Sequence, residues 1–130
     1  MIVSRMGCCA IAILITAATA CTTGHGPSPE ATALLCLTRV NRVQRDSLNN
    51  TGHTVPWRNV AELYNEVSAC EIIRNSGVYT ADLRIDRTTY SVTLRPIRTE
   101  ALQSFYTDES AVIRYRWAPE VADANSPLVQ

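Results

Sequence analysis

The chain has 130 residues, room for one domain, and a formal net charge of zero at pH 7. Its twelve basic residues are all arginine and are balanced by twelve carboxylates, so the chain as a whole carries no electrostatic footprint for nucleic acid or an anionic membrane. No group of residues announces a reaction, and architecture and location are far more legible than an activity.

Met1–Arg5 carries one positive charge and precedes an uncharged run from Met6 to Ala20. About fifteen residues at a helical rise of 1.5 Å give roughly 22 Å, short of the ~30 Å hydrocarbon thickness of a bilayer, and the run ends in small residues. Residues 1–20 therefore read as a secretory signal peptide. Ala18-Thr19-Ala20-Cys21 resembles the lipobox of bacterial lipoproteins, which implies that Cys21 is lipidated, with a palmitate-type acyl chain, and becomes the first residue after cleavage. Residues 21–29, rich in Gly, Pro, Ser and Thr, form a linker of the kind that separates an anchor from its domain.

Ser28–Leu48 is expected to be one long amphipathic helix. Ser28 can cap it, Pro29 sits where its missing N–H costs nothing, and Glu30 faces the positive end of the dipole. At about 100° per residue, Ala33, Cys36, Leu37, Val40 and Val43 share one arc, and Thr38, Arg39, Arg42, Arg45 and Asp46 the other. Asn49-Asn50-Thr51-Gly52 ends it. A shorter helix is expected to open at Thr54-Val55-Pro56-Trp57, burying Trp57, Val60, Ala61 and Tyr64. Val67–Asn75 is either its continuation or a loop, with Val67, Cys70 and Ile73 at helical spacing until Asn75-Ser76-Gly77 intervenes.

From Val78 the period changes to two. Tyr79, Ala81, Leu83 and Ile85 alternate with polar residues in Val78–Asp86, and Tyr90, Val92 and Leu94 do so in Thr89–Ile97, which predicts an antiparallel hairpin. Thr99–Gln103 reads as irregular, Ser104–Thr107 as extended, and Ala111–Trp117 as a last strand. The aromatic residues Tyr79, Tyr90, Phe105, Tyr115 and Trp117 are assigned to the core. Residues 119–130 show no pattern and are expected to be disordered. The fold class is thus α+β, a long and a short helix packed on a three- or four-stranded antiparallel sheet spanning residues 30–118.

Cys8 and Cys9 would leave with the signal and Cys21 would carry lipid. Cys36 and Cys70 remain, and in an oxidising compartment they either form one disulfide, contributing about 3–4 kcal/mol in the chain-entropy model, or stay buried as small hydrophobes. Neither has the spacing of a metal ligand set.

Glu30-Ala31-Thr32-Ala33 through Leu37, Val40-Asn41 and Gln44 resembles the opening of small type IV pilin-like proteins. Tyr90–Pro96 is similar to their middle strand, and Ser104–Tyr115 to the Phe-Tyr-x-Asp-x-x-x-Val-Ile-Arg ending that closes their sheet. The resemblance spans about Glu30–Trp117 and implies the head domain of a pilin or pseudopilin, with secretion or pilus components as partners. One departure limits what it implies. Gly7 is followed by Cys8, Cys9, Ala10, Ile11 and Ala12, so the Glu that pilins carry at the fifth position after the cleavage glycine is absent, and polymerisation by the family's route is not expected.

His25 and His53 lie in Gly-containing loops without a catalytic partner at motif spacing. Glu62 and Glu66 share a helix face as solvated surface, and Asp108-Glu109 reads as a polar turn. Arg84, Arg95, Arg114 and Arg116 fall on the outward side of their strands, a set that could bind DNA or an acidic polymer, with Asp82 and Asp86 on the same face as competing ion-pair partners. The expectation is a lipid-anchored or periplasmic bacterial envelope protein, a non-catalytic binding or assembly module without cofactor, metal, small-molecule substrate or nucleic acid. The alternative is a minor pseudopilin of a secretion or pilus apparatus, possessing that polyanion face.

Overall fold

The computed structural model describes residues 28–97 and 103–130. The signal segment, most of the linker, Cys21 and His25 lie outside the described residues, as do residues 98–102. What is described is α+β, a long helix and two short ones with a four-stranded antiparallel meander.

Helix α1 spans Pro29–Thr51. The Ser28 hydroxyl oxygen accepts from the Ala31 amide at 3.1 Å, and Pro29 occupies the first turn. The helix runs three residues past Leu48 because Gly52, at φ 79°, adopts the left-handed cap and donates its amide to the Leu48 carbonyl. Ala33, Cys36, Leu37 and Val40 are fully buried, and Thr38, Arg39, Arg42, Arg45 and Asp46 are exposed, as the periodicity predicts.

The second helix, α2, is Val60–Glu66, four residues later than the expected opening at Pro56. Thr54–Arg58 is held non-helical from outside the segment. Thr54 donates its amide to the Arg87 carbonyl at 2.8 Å and its hydroxyl to the Asp86 carbonyl at 2.6 Å. The buried Gln44 side chain meanwhile accepts from the Val55 amide at 2.7 Å and donates to the Val55 carbonyl at 3.2 Å. Asn59 is the true cap, accepting from the Glu62 amide. Trp57 is buried as expected, but Leu63, and not the exposed Ala61, fills the core beside Tyr64.

Val67, at φ −109° and ψ 96°, separates α2 from α3, Ser68–Ser76, so the ambiguous segment is a helix of its own. Its Ala69, Cys70 and Ile73 face α1, and Gly77, at φ 68°, closes it.

The strands are β1 (Tyr79–Ile85), β2 (Tyr90–Pro96), β3 (Gln103–Asp108) and β4 (Ile113–Trp117), in sheet order β1-β2-β3-β4. The expected hairpin has Leu83 opposite Val92 and Ile85 opposite Tyr90. Tyr79, Ala81, Val92, Leu94 and Phe105 form the buried layer against the helices. Trp117 departs from its expected core place. It ends the last strand and is 57% exposed, whereas Tyr115 packs against the core from its periphery.

The tail is the larger correction, because residues 119–130 are built into the structure. Ala122 and Ser126 are buried, the Tyr115 amide donates to the Pro127 carbonyl, and the Val129 amide donates to the Ile113 carbonyl. Arg114 and Leu128 form an antiparallel bridge, so the end of the chain covers the edge that β4 would otherwise present to water. The segment lacks apolar periodicity because backbone and small polar groups hold it.

Candidate functional site

The four arginines of the outward sheet face are handled in three different ways. Arg95 is paired across the strands with Asp82, Nε to Oδ2 at 2.7 Å. Arg114 donates to the Ser126 carbonyl at 2.8 Å, and Arg116 donates to Ser126 Oγ at 3.0 Å and to the Glu120 carboxylate at 2.6 Å. Residues 120–126 also cross Ser104, whose hydroxyl accepts from the Ala122 amide at 2.7 Å. The half of this face on β3 and β4 is thus roofed by the tail and its cations are engaged there. Neither Arg84 nor Arg114 has an ion-pair partner among the described residues, and Arg84 alone of the four also makes no side-chain hydrogen bond among them.

The acidic candidates are also occupied. Glu62 accepts from the Arg58 amide and guanidinium, with the amide bond chiefly responsible for a carboxyl held below its ordinary value. Glu66 accepts from the Trp57 indole N–H. Burial pushes the Asp108 carboxyl up, but donation from Ser110 and from the Tyr106 hydroxyl outweighs it, and the group sits below its ordinary value. His53 contacts only neighbouring turn groups of Thr51, Ser47 and Thr54. Among the described residues no three His, Cys, Asp or Glu side chains are placed to hold a metal, and no helix is long and apolar enough to cross a membrane.

Cys36 of α1 and Cys70 of α3, both fully buried, lie at an S–S distance of 2.05 Å and form a disulfide. Of the two readings left open by the sequence, the bonded one holds. It ties the long helix to the short one over the face that carries Val67 and Ile73.

Sequence periodicity missed the polar centre beneath α1. Asn41, 6% exposed, accepts on Oδ1 from the Tyr90 hydroxyl at 2.8 Å and from Thr107 Oγ1 at 2.9 Å. Thr107 Oγ1 is also 3.0 Å from the Val112 carbonyl, so one hydroxyl proton is shared between two acceptors. A signal was present, since Asn41 follows Leu37 by four residues and Gln44 follows Val40 by four, which puts both amides on the buried arc. Burial pushes the Tyr90 phenol up to about 12, helped by the nearby Asp108 charge, and burial with donation to Asp108 takes Tyr106 to about 12. Tyr79 is raised further by burial.

A phenol whose folded pKa is above its unfolded value of about 10 stabilises fully below pH 10 and loses that contribution as pH rises through the folded value. Urea midpoints are therefore expected to fall steeply between about pH 10 and 12, and less steeply in Tyr90→Phe. A flat profile over that window in wild type would contradict the assignment.

The whole is an α+β protein in which a disulfide-linked helix pair covers one face of a meander and the chain terminus seals part of the other. No family model matches the chain, and neither curated proteins nor solved structures give a match.

Proposed function

We propose that this chain is an exported, lipid-anchored envelope protein whose pilin-like α+β domain is a non-catalytic binding or assembly module. The observation that carries this reading is the Cys36–Cys70 disulfide, because such a bond persists in an oxidising compartment and is reduced in an ordinary cytosol. It accords with the signal-like segment and with Cys21 in its lipobox-like setting. Helix α1 begins with its own cap at Ser28 and Pro29 in its first turn, as suits a head set behind a tether better than the continuous stem of a filament subunit. The engaged carboxylates, together with a His53 whose hydrogen bonds among the described residues go only to neighbouring turn groups, favour binding over catalysis.

Metabolic labelling with an alkyne palmitate analogue tests it. Wild type is expected to carry label and Cys21→Ser to lose it, with the mass of the mature N-terminus placing cleavage just before residue 21. Unlabelled wild-type chain would sink the lipoprotein reading.

A further inference from the structure

Beside α1 runs an open groove of about 610 Å³ between the helix and the start of β4. Arg39, Arg42 and Arg45 line it, against a single carboxylate, Asp46, and none of the three has an ion-pair partner among the described residues. At three-residue spacing they advance by about 4.5 Å along the axis and rotate steadily around it, so they form a diagonal row and not a point cluster. Leu35, 44% exposed, and Ile113 give the same groove an apolar component. The neutral net charge of the chain conceals this local excess.

The groove also reaches the buried polar centre. Asn41 lines it, and the Asn41 Oδ1 is used by Tyr90 and Thr107 while its Nδ2 has no hydrogen-bond partner among the described residues. No fully buried side-chain nitrogen or oxygen among them lacks a partner, so this amide keeps its solvent contact, and the groove is where Asn41 meets the surface. A side chain more than nine-tenths buried thus offers a spare N–H₂ donor at the foot of an arginine row.

We propose that this groove is a docking site for an acidic, leucine-bearing segment of a partner protein. Guanidinium forks and an amide donor suit carboxylates, and Leu35 with Ile113 takes an apolar side chain between them. No aromatic ring lines the groove, so base stacking, which single-stranded nucleic acid needs, has no platform. Its concavity accepts a chain and not the flat surface of a bilayer. The inference rests on the binding-module reading and not on the lipid anchor.

The test is fluorescence anisotropy with the full chain in nonionic detergent micelles. The probes are a labelled peptide of alternating glutamate and leucine, a labelled single-stranded oligonucleotide and, after dilution below the critical micelle concentration of the detergent, phosphatidylglycerol vesicles. Peptide binding is expected to weaken about tenfold or more in Arg39→Glu/Arg42→Glu/Arg45→Glu, to weaken with added salt, and to be unchanged in Arg84→Glu. Leu35→Asp, with the arginines intact, should also weaken it. Unchanged binding in the triple variant, an equal loss in Arg84→Glu, or tighter binding of wild type to the oligonucleotide or vesicles overturns the proposal. Arginine-dependent peptide binding without palmitate label on Cys21 would leave the groove standing and remove the anchor; label without such binding does the reverse.

Discussion

Replacing both Cys36 and Cys70 with alanine is expected to cost the folded domain about 4 kcal/mol. The bond closes a loop between positions 34 residues apart, and the chain-entropy relation gives about 3.8 kcal/mol at 25 °C for that length. Both sulfurs are fully buried at the contact between α1 and α3. Their loss removes packing as well as the cross-link. Within α3 the other anchors are Ala69 and Ile73, so a nine-residue helix depends on the bond to stay docked.

For a domain of this size the cost translates into a fall in melting temperature of roughly 15–25 °C. Thermal unfolding of wild type and the double alanine variant, each with and without reductant, measures it. Reductant should lower the wild-type midpoint towards that of the variant and leave the variant where it is. A variant that melts with the oxidised wild type would show that the helix contact holds without the bond.

The parts of this fold that were legible in the sequence are those whose burial follows a period. Ala33, Cys36, Leu37 and Val40 mark α1, and Tyr90, Val92 and Leu94 mark β2, because burying one face requires apolar side chains at fixed intervals. The stretch Thr54–Arg58 reads as the start of a helix because its Pro and spacing suit one. Its real conformation is imposed by Gln44, eleven residues away, and by the Asp86 carbonyl, thirty-two away. The tail is illegible in the sequence for a related reason, since Ala122 and Ser126 are buried by backbone and hydroxyl contacts that have no periodic signature.

Among the functional candidates, the sheet arginines were placed on the correct face. Periodicity could not show that Ser126 and Glu120 would come back across it to engage Arg114 and Arg116. The row Arg39, Arg42 and Arg45 was legible as the wet side of α1 but not as one wall of a groove, whose other wall is supplied by β4, some seventy positions downstream.

Asn41→Leu is expected to cost about 2–4 kcal/mol, although it makes the buried arc of α1 more apolar. Leucine keeps the same branched skeleton and leaves no cavity, so the cost comes from the hydroxyls it strands together with the extra bulk of its two methyl groups. Thr107 retains the Val112 carbonyl at 3.0 Å, but Tyr90, 4% exposed, has no other hydrogen-bond partner among the described residues. A buried hydroxyl without a partner costs about 1–3 kcal/mol, and the weakened Thr107 site adds to it. Tyr90→Phe alone removes one donor and leaves Asn41 with Thr107, and should cost only about 1 kcal/mol.

The informative variant is the double one. In Asn41→Leu/Tyr90→Phe the stranded hydroxyl is gone, so the combined loss should fall below the sum of the single losses by about 1 kcal/mol or more. Urea unfolding of the four proteins at pH 7 gives that coupling directly, and strictly additive losses would mean that Asn41 and Tyr90 stabilise the domain independently. Because these two residues lie 49 positions apart, a positive coupling also identifies the amide as what fixes the rotation of α1 over the sheet. A purely apolar arc could slide against Val92 and Leu94 at little cost, whereas an acceptor that must meet two hydroxyls on β2 and β3 allows one setting, and that setting is also the one that turns Arg39, Arg42 and Arg45 towards β4.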